Sequence, residues 1–282
     1  MLSNTTITFI GAGAMGEAMI AGLVSQKLIA PESIIAAEPR AEQGELLRSK
    51  YGIQVGSGNR VAAEKADVVV LAVKPQILPA VMNDLKGHIA PNGLVLSIIA
   101  GASIKLISQG LLHSSVVRSM PNTPAQIGEG ISVWTTSPEV TESQRKQAEA
   151  ILGACGQQIF VNDEDYLDMA TALSGNGPAY VFLFMEAMVD AGVHLGFSRQ
   201  IAEQLVLQTI KGSAEYAMKS PHHLARLRNQ VTSPGGTSAE SLYFLEKAGF
   251  RTAISRAVWA GYQRSVQLGK GKKRSQLADD EK

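Results

Sequence analysis

Ile7-Thr8-Phe9-Ile10-Gly11-Ala12-Gly13-Ala14-Met15-Gly16 is the stretch that decides the fold of this 282-residue chain. A short run of strand-forming residues leads into three glycines at G-x-G-x-x-G spacing, and an apolar helical pattern from Met15 to Ser25 follows without a break. In that setting Gly11 makes a tight turn, Gly13 lets a pyrophosphate approach the backbone, and Gly16 allows the helix to pack closely on the strand. The unpaired amides at the start of the helix favour an anion. The stretch is a dinucleotide-binding turn inside a strand-helix-strand unit.

The same alternation continues on either side. Ile34 to Ala37 leads into Ala41 to Tyr51, and Val68 to Ala72 leads into Ile77 to His88. Leu94 to Ile98, Val116-Val117 and Ile131 to Trp134 extend the strand series. Continuous apolar strands, as opposed to alternating ones, imply a sheet covered on both faces. The class is therefore α/β, with a Rossmann-type doubly wound parallel sheet over residues 1–164. Pro138 and Thr141, with Gln144 three residues after Thr141, mark a capped helix that runs to Leu152 and stops at Gly153.

After about Asp165 the strand patterns vanish. Ile201, Leu205, Ile210, Ala214 and Met218 recur at helical spacing behind the cap candidate Ser198, and Ala253 to Leu268 forms another amphipathic stretch. Residues 165–282 are thus expected as an all-α domain. The helix starting at Pro178 is apolar around most of its circumference, with only a Glu186, Asp190, His194 stripe. A domain of this size rarely buries such a helix alone, so a subunit interface is expected to help cover it. The stripe reads as interface or solvent surface, and no metal site is expected. The tail from Gly269 to Lys282 is charged and is expected to fray.

A net charge of +1, with both signs interspersed, gives no electrostatic footprint for nucleic acid or an anionic membrane. The partner is a small molecule. The single cysteine, Cys155, rules out an internal disulfide or a cysteine-based zinc site and reads as a small buried residue. The amino terminus carries no signal-peptide pattern, so a cytoplasmic protein is expected. His88, His113, His194, His222 and His223 have no pattern that links them to the sheet edge.

Val231-Thr232-Ser233-Pro234-Gly235-Gly236-Thr237-Ser238 is a second loop leading into a helix start, and it suits a carboxylate. The end of the second strand reads Glu38-Pro39-Arg40. An acid there accepts from the adenine ribose, whereas a base accommodates a 2′-phosphate, so NADPH and NADH both stay open. Ala72, Val73, Lys74 and Pro75 end a central strand on the edge where ligands of this fold sit, and Ala100 and Gly101 end the next. Asn122 offers an amide to the cofactor or to a neighbouring loop. With Ile10, Gly11, Ala12, Gly13, Ala14, Met15, Gly16, Glu38, Arg40 and Asn59, these make up the expected cofactor contacts.

GAGAMG (11–16), LAVKP (71–75), RSMPNTPA (118–125), LSGNGPAYVF (173–182) and VTSPGGTS (231–238), in this order, resemble pyrroline-5-carboxylate reductase from about Ile7 to Leu268. The resemblance implies reduction of the C=N bond of Δ1-pyrroline-5-carboxylate by NAD(P)H, the last step of proline synthesis. It implies that Ser233, Gly235, Gly236, Thr237 and Ser238 hold the substrate carboxylate, that the Ser238 hydroxyl approaches the ring nitrogen as the catalytic group, and that Glu164 lies near the substrate. It also implies a homodimer through the helical domain, with a larger ring left open. Ser238 replaces a threonine of many relatives, Asn176 a serine, and Pro221 an acid. A β-hydroxyacid dehydrogenase is the competing enzyme reading, although Gly175 to Val181 lacks the lysine such enzymes use. A cofactor-binding redox sensor is the non-enzymatic reading, and it needs no anion cradle.

Overall fold

A computed structural model of the chain describes residues 2, 4–56 and 58–269. They form two compact units, one holding residues up to Asn176 together with 261–269, the other spanning Gly177–Ala260.

The first unit contains β1 (Ile7–Ile10), α1 (Ala14–Ser25), β2 (Ile34–Ala37), α2 (Ala41–Tyr51), β3 (Gln54–Gly56), α3 (Asn59–Glu64), β4 (Val68–Leu71) and α4 (Leu78–Leu85). It continues with β5 (Leu94–Ser97), α5 (Ile104–Leu111), β6 (Val116–Met120), β7 (Gly130–Thr136), α6 (Glu142–Gly153), β8 (Gly156–Phe160) and α7 (Tyr166–Ala170). The strands form one sheet in the order β3-β2-β1-β4-β5-β6-β7-β8. All neighbours are parallel except β6 and β7, which run antiparallel. Strand order reverses between β1 and β4, where Ile7 lies beside Val68. A crevice for ligands opens at such a reversal.

β1, β2, β4 and β5 are buried along their whole length. Successive side chains point to opposite faces, so Phe9 joins a core with Leu23 and Trp134, while Ile10 joins a second core with Val69 and Leu85. Thr8, fully buried, satisfies its hydroxyl by donating to the carbonyl of Ala62 at 2.8 Å, which fastens α3 to the sheet. Thr141 and Gln144 form the expected capping box at the start of α6, with Thr141 N donating to Gln144 Oε1 at 2.9 Å and Gln144 N to Thr141 Oγ1 at 3.3 Å.

No sequence pattern marks β3, β8, α3, α5 or α7. β3 has three residues and β8 alternates in burial at the far edge, so neither shows the continuous apolar run of a central strand. The helix expected from Ile77 to His88 is shorter, because a 3₁₀ turn at Pro75–Ile77 precedes it.

The second unit contains α8 (Gly177–His194), α9 (Arg199–Lys219), α10 (Leu224–Gln230), α11 (Thr237–Lys247) and the first part of α12 (Phe250–Gly269). Ser198 caps α9 as expected, accepting from Ile201 N. The unit's core is thin, with Val189, Ala202 and Val206 at its centre. α8 buries Val189 alone, and Asp190 of its polar stripe pairs with Arg199 at 2.9 Å. Phe182, Leu183, Leu205, Phe244 and Trp259 are each at least half exposed. An apolar surface this extensive on a small unit marks an interaction face.

The compact units do not divide at residue 164. Arg118 of β6, 5% exposed, donates to Glu164 Oε1 at 2.8 Å and to Asp168 Oδ1 at 3.3 Å, and Ser265 Oγ donates to the same Asp168 oxygen at 2.6 Å. This cluster binds α7 and the end of α12 to the sheet, so the division falls at 176/177 and 260/261. The tail beyond Gly269 lies outside the described residues.

Where α1 meets the turn before β8, a β-carbon on Gly22 would stand 2.3 Å from the carbonyl oxygen of Ala154. Glycine to alanine within a helix ordinarily gains about 1 kcal/mol. At Gly22 the sign is expected to reverse, with Gly22→Ala costing about 1–3 kcal/mol because the obstacle is backbone. Urea unfolding checks this, and a gain in stability contradicts the packing described.

Candidate functional site

The three glycines of the first turn have different surroundings. Gly11 has φ +83°, and a β-carbon on it would lie 2.8 Å from Val73 Cγ1 and 3.1 Å from the carbonyl of Ala72. One on Gly16 would lie 2.9 Å from the carbonyl of Gly11 and 3.4 Å from Ala72 Cβ. Backbone conformation and packing therefore require the first and third glycines. Gly13, the residue capping α1, has nothing within 4 Å of its missing side chain. Its amide and those of Ala14 and Met15 have no partner among the described residues.

Gly13, Ala14 and Met15 border a groove of about 360 Å³ that also touches Ala72, Val73, Lys74, Met120, Asn122 and Gly175 at the carboxyl edge of the sheet. Open space before three unpaired amides at a helix start fits the pyrophosphate of a dinucleotide. Ile10 and Ala12 are fully buried, so only their main chains face outward.

Glu38 is neither a surface charge nor an open acceptor. It is 6% exposed. Its Oε2 accepts from Ala12 N at 3.1 Å and Arg40 Nη2 at 3.0 Å, and its Oε1 accepts from Arg40 N at 3.0 Å and Arg40 Nε at 2.8 Å. Burial pushes its carboxyl pKa up, but hydrogen bonds from the Arg40 side chain and amide and from Ala12, with the Arg40 charge, outweigh it and hold the group below its ordinary range. Gln43 Nε2 donates to the carbonyl of Ala12 at 3.1 Å and to Glu17 Oε2 at 3.0 Å. Both polar groups of the Ala12 main chain are thus held by α2 or the residues just before it. No motif pointed to Gln43 or Glu17, since their contacts run between helices.

Four expected contacts also have partners within the protein. Asn122 accepts from Ile131 N at 2.9 Å and donates to the carbonyl of Ser174 at 3.2 Å, so its side chain serves the neighbouring loop. Asn59 donates to Asp84 Oδ2 at 3.0 Å, joining α3 to α4. Gly101 packs against Leu268 and Gly269, and it lines, with Ser103, Arg118, Glu164 and Asp168, a separate polar cavity of about 390 Å³. Glu164 Oε1 accepts from Ile104 N and from Arg118, each at 2.8 Å, which anchors the first turn of α5. Ala100 and Pro75 do not border the dinucleotide groove.

In the helical unit, Thr232 Oγ1 donates to the carbonyl of Arg228 at 2.7 Å and Gly236 N to that of Ser233 at 3.0 Å, closing the second turn. Gly235 has φ +70°, a conformation glycine adopts without strain. A β-carbon on Gly236 would lie 2.5 Å from Ser233 Oγ. Gly236 caps α11 without any side-chain hydrogen bond. The amides of Gly235, Thr237 and Ser238, and the Ser238 hydroxyl, have no partner among the described residues. Unpaired donors with open space at Gly235, and with only the Ser233 hydroxyl close to Gly236, suit a small carboxylate. Just before α8, Asn176 N donates to the carbonyl of Thr171 at 2.8 Å, five residues back, closing a π turn at Thr171–Gly175 that no sequence signal announced.

Residues 164–268 match the family described as pyrroline-5-carboxylate reductase dimerisation, and residues 6–101 match NADP oxidoreductase coenzyme F420-dependent. A pyrroline-5-carboxylate reductase of Synechocystis sp. is 43% identical over 93% of this chain and 97% of its own. One from Pseudomonas aeruginosa is 41% identical over 95% and 98%. The crystal structure of Plasmodium falciparum pyrroline carboxylate reductase with NADP bound superposes with a TM-score of 0.87 at 35% identity, covering 95% of this chain and 99% of that one.

A carboxyl group whose pKa is lowered on folding contributes stability above its unfolded value, and that contribution is lost as pH falls through the folded value. Glu38→Gln is therefore expected to destabilise the protein at pH 7, with the gap to the parent closing below the ordinary carboxyl value of 4.5. Denaturant midpoints between pH 7 and pH 3 measure it, and a gap independent of pH counts against an ionised Glu38.

Proposed function

This chain belongs to the pyrroline-5-carboxylate reductase family, and from that premise we propose how its own residues carry out the reaction. The protein is an NAD(P)H-dependent oxidoreductase that reduces the C=N bond of Δ1-pyrroline-5-carboxylate to give proline, the last step of proline biosynthesis. The observation that carries the residue assignment is the turn before α11, where the amides of Gly235, Thr237 and Ser238 stand unpaired and the space at Gly235 is open.

The amides of Gly235, Thr237 and Ser238, with Ser233 and Gly236 shaping the turn, hold the substrate carboxylate. The dinucleotide lies against Gly13, Ala14 and Met15, along Ala72 to Lys74, and when bound it supplies the hydride. The protein's work is then mainly orientation, since fixing two reactants face to face removes much of the entropic barrier. The imine nitrogen gains a proton as the carbon double-bonded to it, C2 of the pyrroline ring, accepts hydride. Ser238 donates a hydrogen bond to that nitrogen and passes a proton inward from water. Glu164, whose Oε1 is held by Arg118 and by the first turn of α5, lies near the substrate in the same proposal.

The exposed apolar faces of α8, α9 and α12 support a homodimer through the helical unit, residues 165–282 as counted from the sequence, with a larger ring as its extension. No helix among the described residues is long and apolar enough to cross a membrane. A cytoplasmic location is part of the same proposal, in keeping with the single buried thiol of Cys155, whose pKa burial raises to about 11.

Adding Δ1-pyrroline-5-carboxylate is expected to oxidise NAD(P)H, whereas 2-hydroxy and 3-hydroxy acids with NAD(P)+ give no reduction; the converse result rejects the assignment. Ser238→Ala is expected to lower kcat roughly tenfold to hundredfold, at or below the low end for positioned acid–base groups, with cofactor affinity nearly unchanged. Equal turnover in mutant and parent removes Ser238 from the mechanism. Sedimentation of the full chain as a monomer at micromolar concentration contradicts the dimer.

A further inference from the structure

Within the dinucleotide site proposed above, we infer that this chain selects the 2′-phosphorylated cofactor, with Arg40 as the specificity-determining residue and Glu38 as the residue that positions it. The inference depends on that site and on no feature of the substrate turn.

A carboxylate offers about four lone-pair positions. In Glu38 all four are taken, two by Ala12 N and Arg40 Nη2 and two by Arg40 N and Nε. An acid that selects the unphosphorylated cofactor must keep acceptor capacity for the ribose hydroxyls. Glu38 has none to give without releasing either the glycine turn or Arg40. Its side chain is 3% exposed, and stripping a buried carboxylate of its partner is costly. Its position in sequence is that of a ribose acceptor, but its geometry is that of an inward anchor.

Arg40 shows the opposite character. Its side chain is 62% exposed, and Nη1 has no partner among the described residues. Two hydrogen bonds to Glu38 fix the plane of the guanidinium, so little side-chain entropy remains to be lost when an anion docks. Arg40 is also the capping residue of α2, while Glu38 is bonded to the turn that opens α1. Two helix starts therefore converge on one ion pair. The pair is neutral in sum, and the partial positive charge of both helix ends leaves the spot favourable to a phosphate. Glu42, in the first turn of α2, is the nearby charge that works against this.

The two possible roles of Glu38 predict opposite signs. An acid that discriminates by repelling phosphate yields tighter phosphate binding when neutralised. An anchor for Arg40 yields weaker binding.

Calorimetric titration of the full-length protein with 2′,5′-ADP and with 5′-AMP reads this without nicotinamide or imine acid. The parent is expected to bind 2′,5′-ADP at least roughly tenfold more tightly than 5′-AMP, and Arg40→Ala to reduce that ratio roughly tenfold to hundredfold. Arg40→Lys retains part of the ratio, and Glu38→Gln lowers it. Equal affinities in the parent, an unchanged ratio in Arg40→Ala, or a raised ratio in Glu38→Gln each overturn the inference. If Glu38→Gln does not fold, as judged by circular dichroism, the Arg40 variants decide alone. A chain that shows this selectivity yet fails to reduce the imine acid loses the reductase mechanism and keeps the cofactor preference. One that reduces it equally well with NADH and NADPH does the reverse.

Discussion

An α-helix begins with amide groups that nothing inside the helix can satisfy, and the proposed function rests on that constraint at two helix starts. At α1 and at α11 the capping residue is a glycine with no side-chain hydrogen bond, and the amides that follow stay unpaired. Side chains cap α5, α6 and α9, through Ser103, Thr141 and Ser198, whereas α2, α3, α4 and α7 begin without one. Omitting the cap leaves donors for an anion from outside. In the proposed function the pyrophosphate and the substrate carboxylate are these anions, each met by main chain in place of a charged side chain.

Main-chain donors bind well only if the turn that carries them is held still. For the first turn this comes from α2 and the residues before it, since Glu38 accepts from the amide of Ala12 and Gln43 donates to its carbonyl. For the second it comes from within, through Thr232, Ser233 and the left-handed conformation of Gly235. The two units also differ in how much they bury. The sheet unit has a full core on each face, whereas the helical unit has a thin one and a wide apolar surface. A unit so constituted gains stability where a partner surface covers its apolar face.

The central strands, the glycine turn, the Thr141 capping box and the helices from Pro178 onward, apart from the short α10, were legible in the sequence because each is a local pattern with one physical meaning. The edge strands β3 and β8 were not, since short or alternating segments lack the continuous apolar run that marks strands covered on both faces. Gly101 illustrates a second kind of loss. Its place at the end of a strand suggests a cofactor contact, but the end of α12, remote in sequence, occupies its surface. Asn122 and Asn59 likewise sit at suggestive places with their amides bound elsewhere.

The sequence alone determined the central strands, the long helices, the two glycine turns that lead into helix starts and the family to which they belong, because glycine spacing and apolar periodicity act through the few residues on either side. Tertiary structure decided the rest: that Glu38 faces inward and Arg40 outward, that Glu164 and Asp168 share Arg118, and that the compact unit ends at Asn176 and resumes within α12. A charged side chain can reach several partners, and which one it takes depends on burial and on groups far along the chain that only folding brings near.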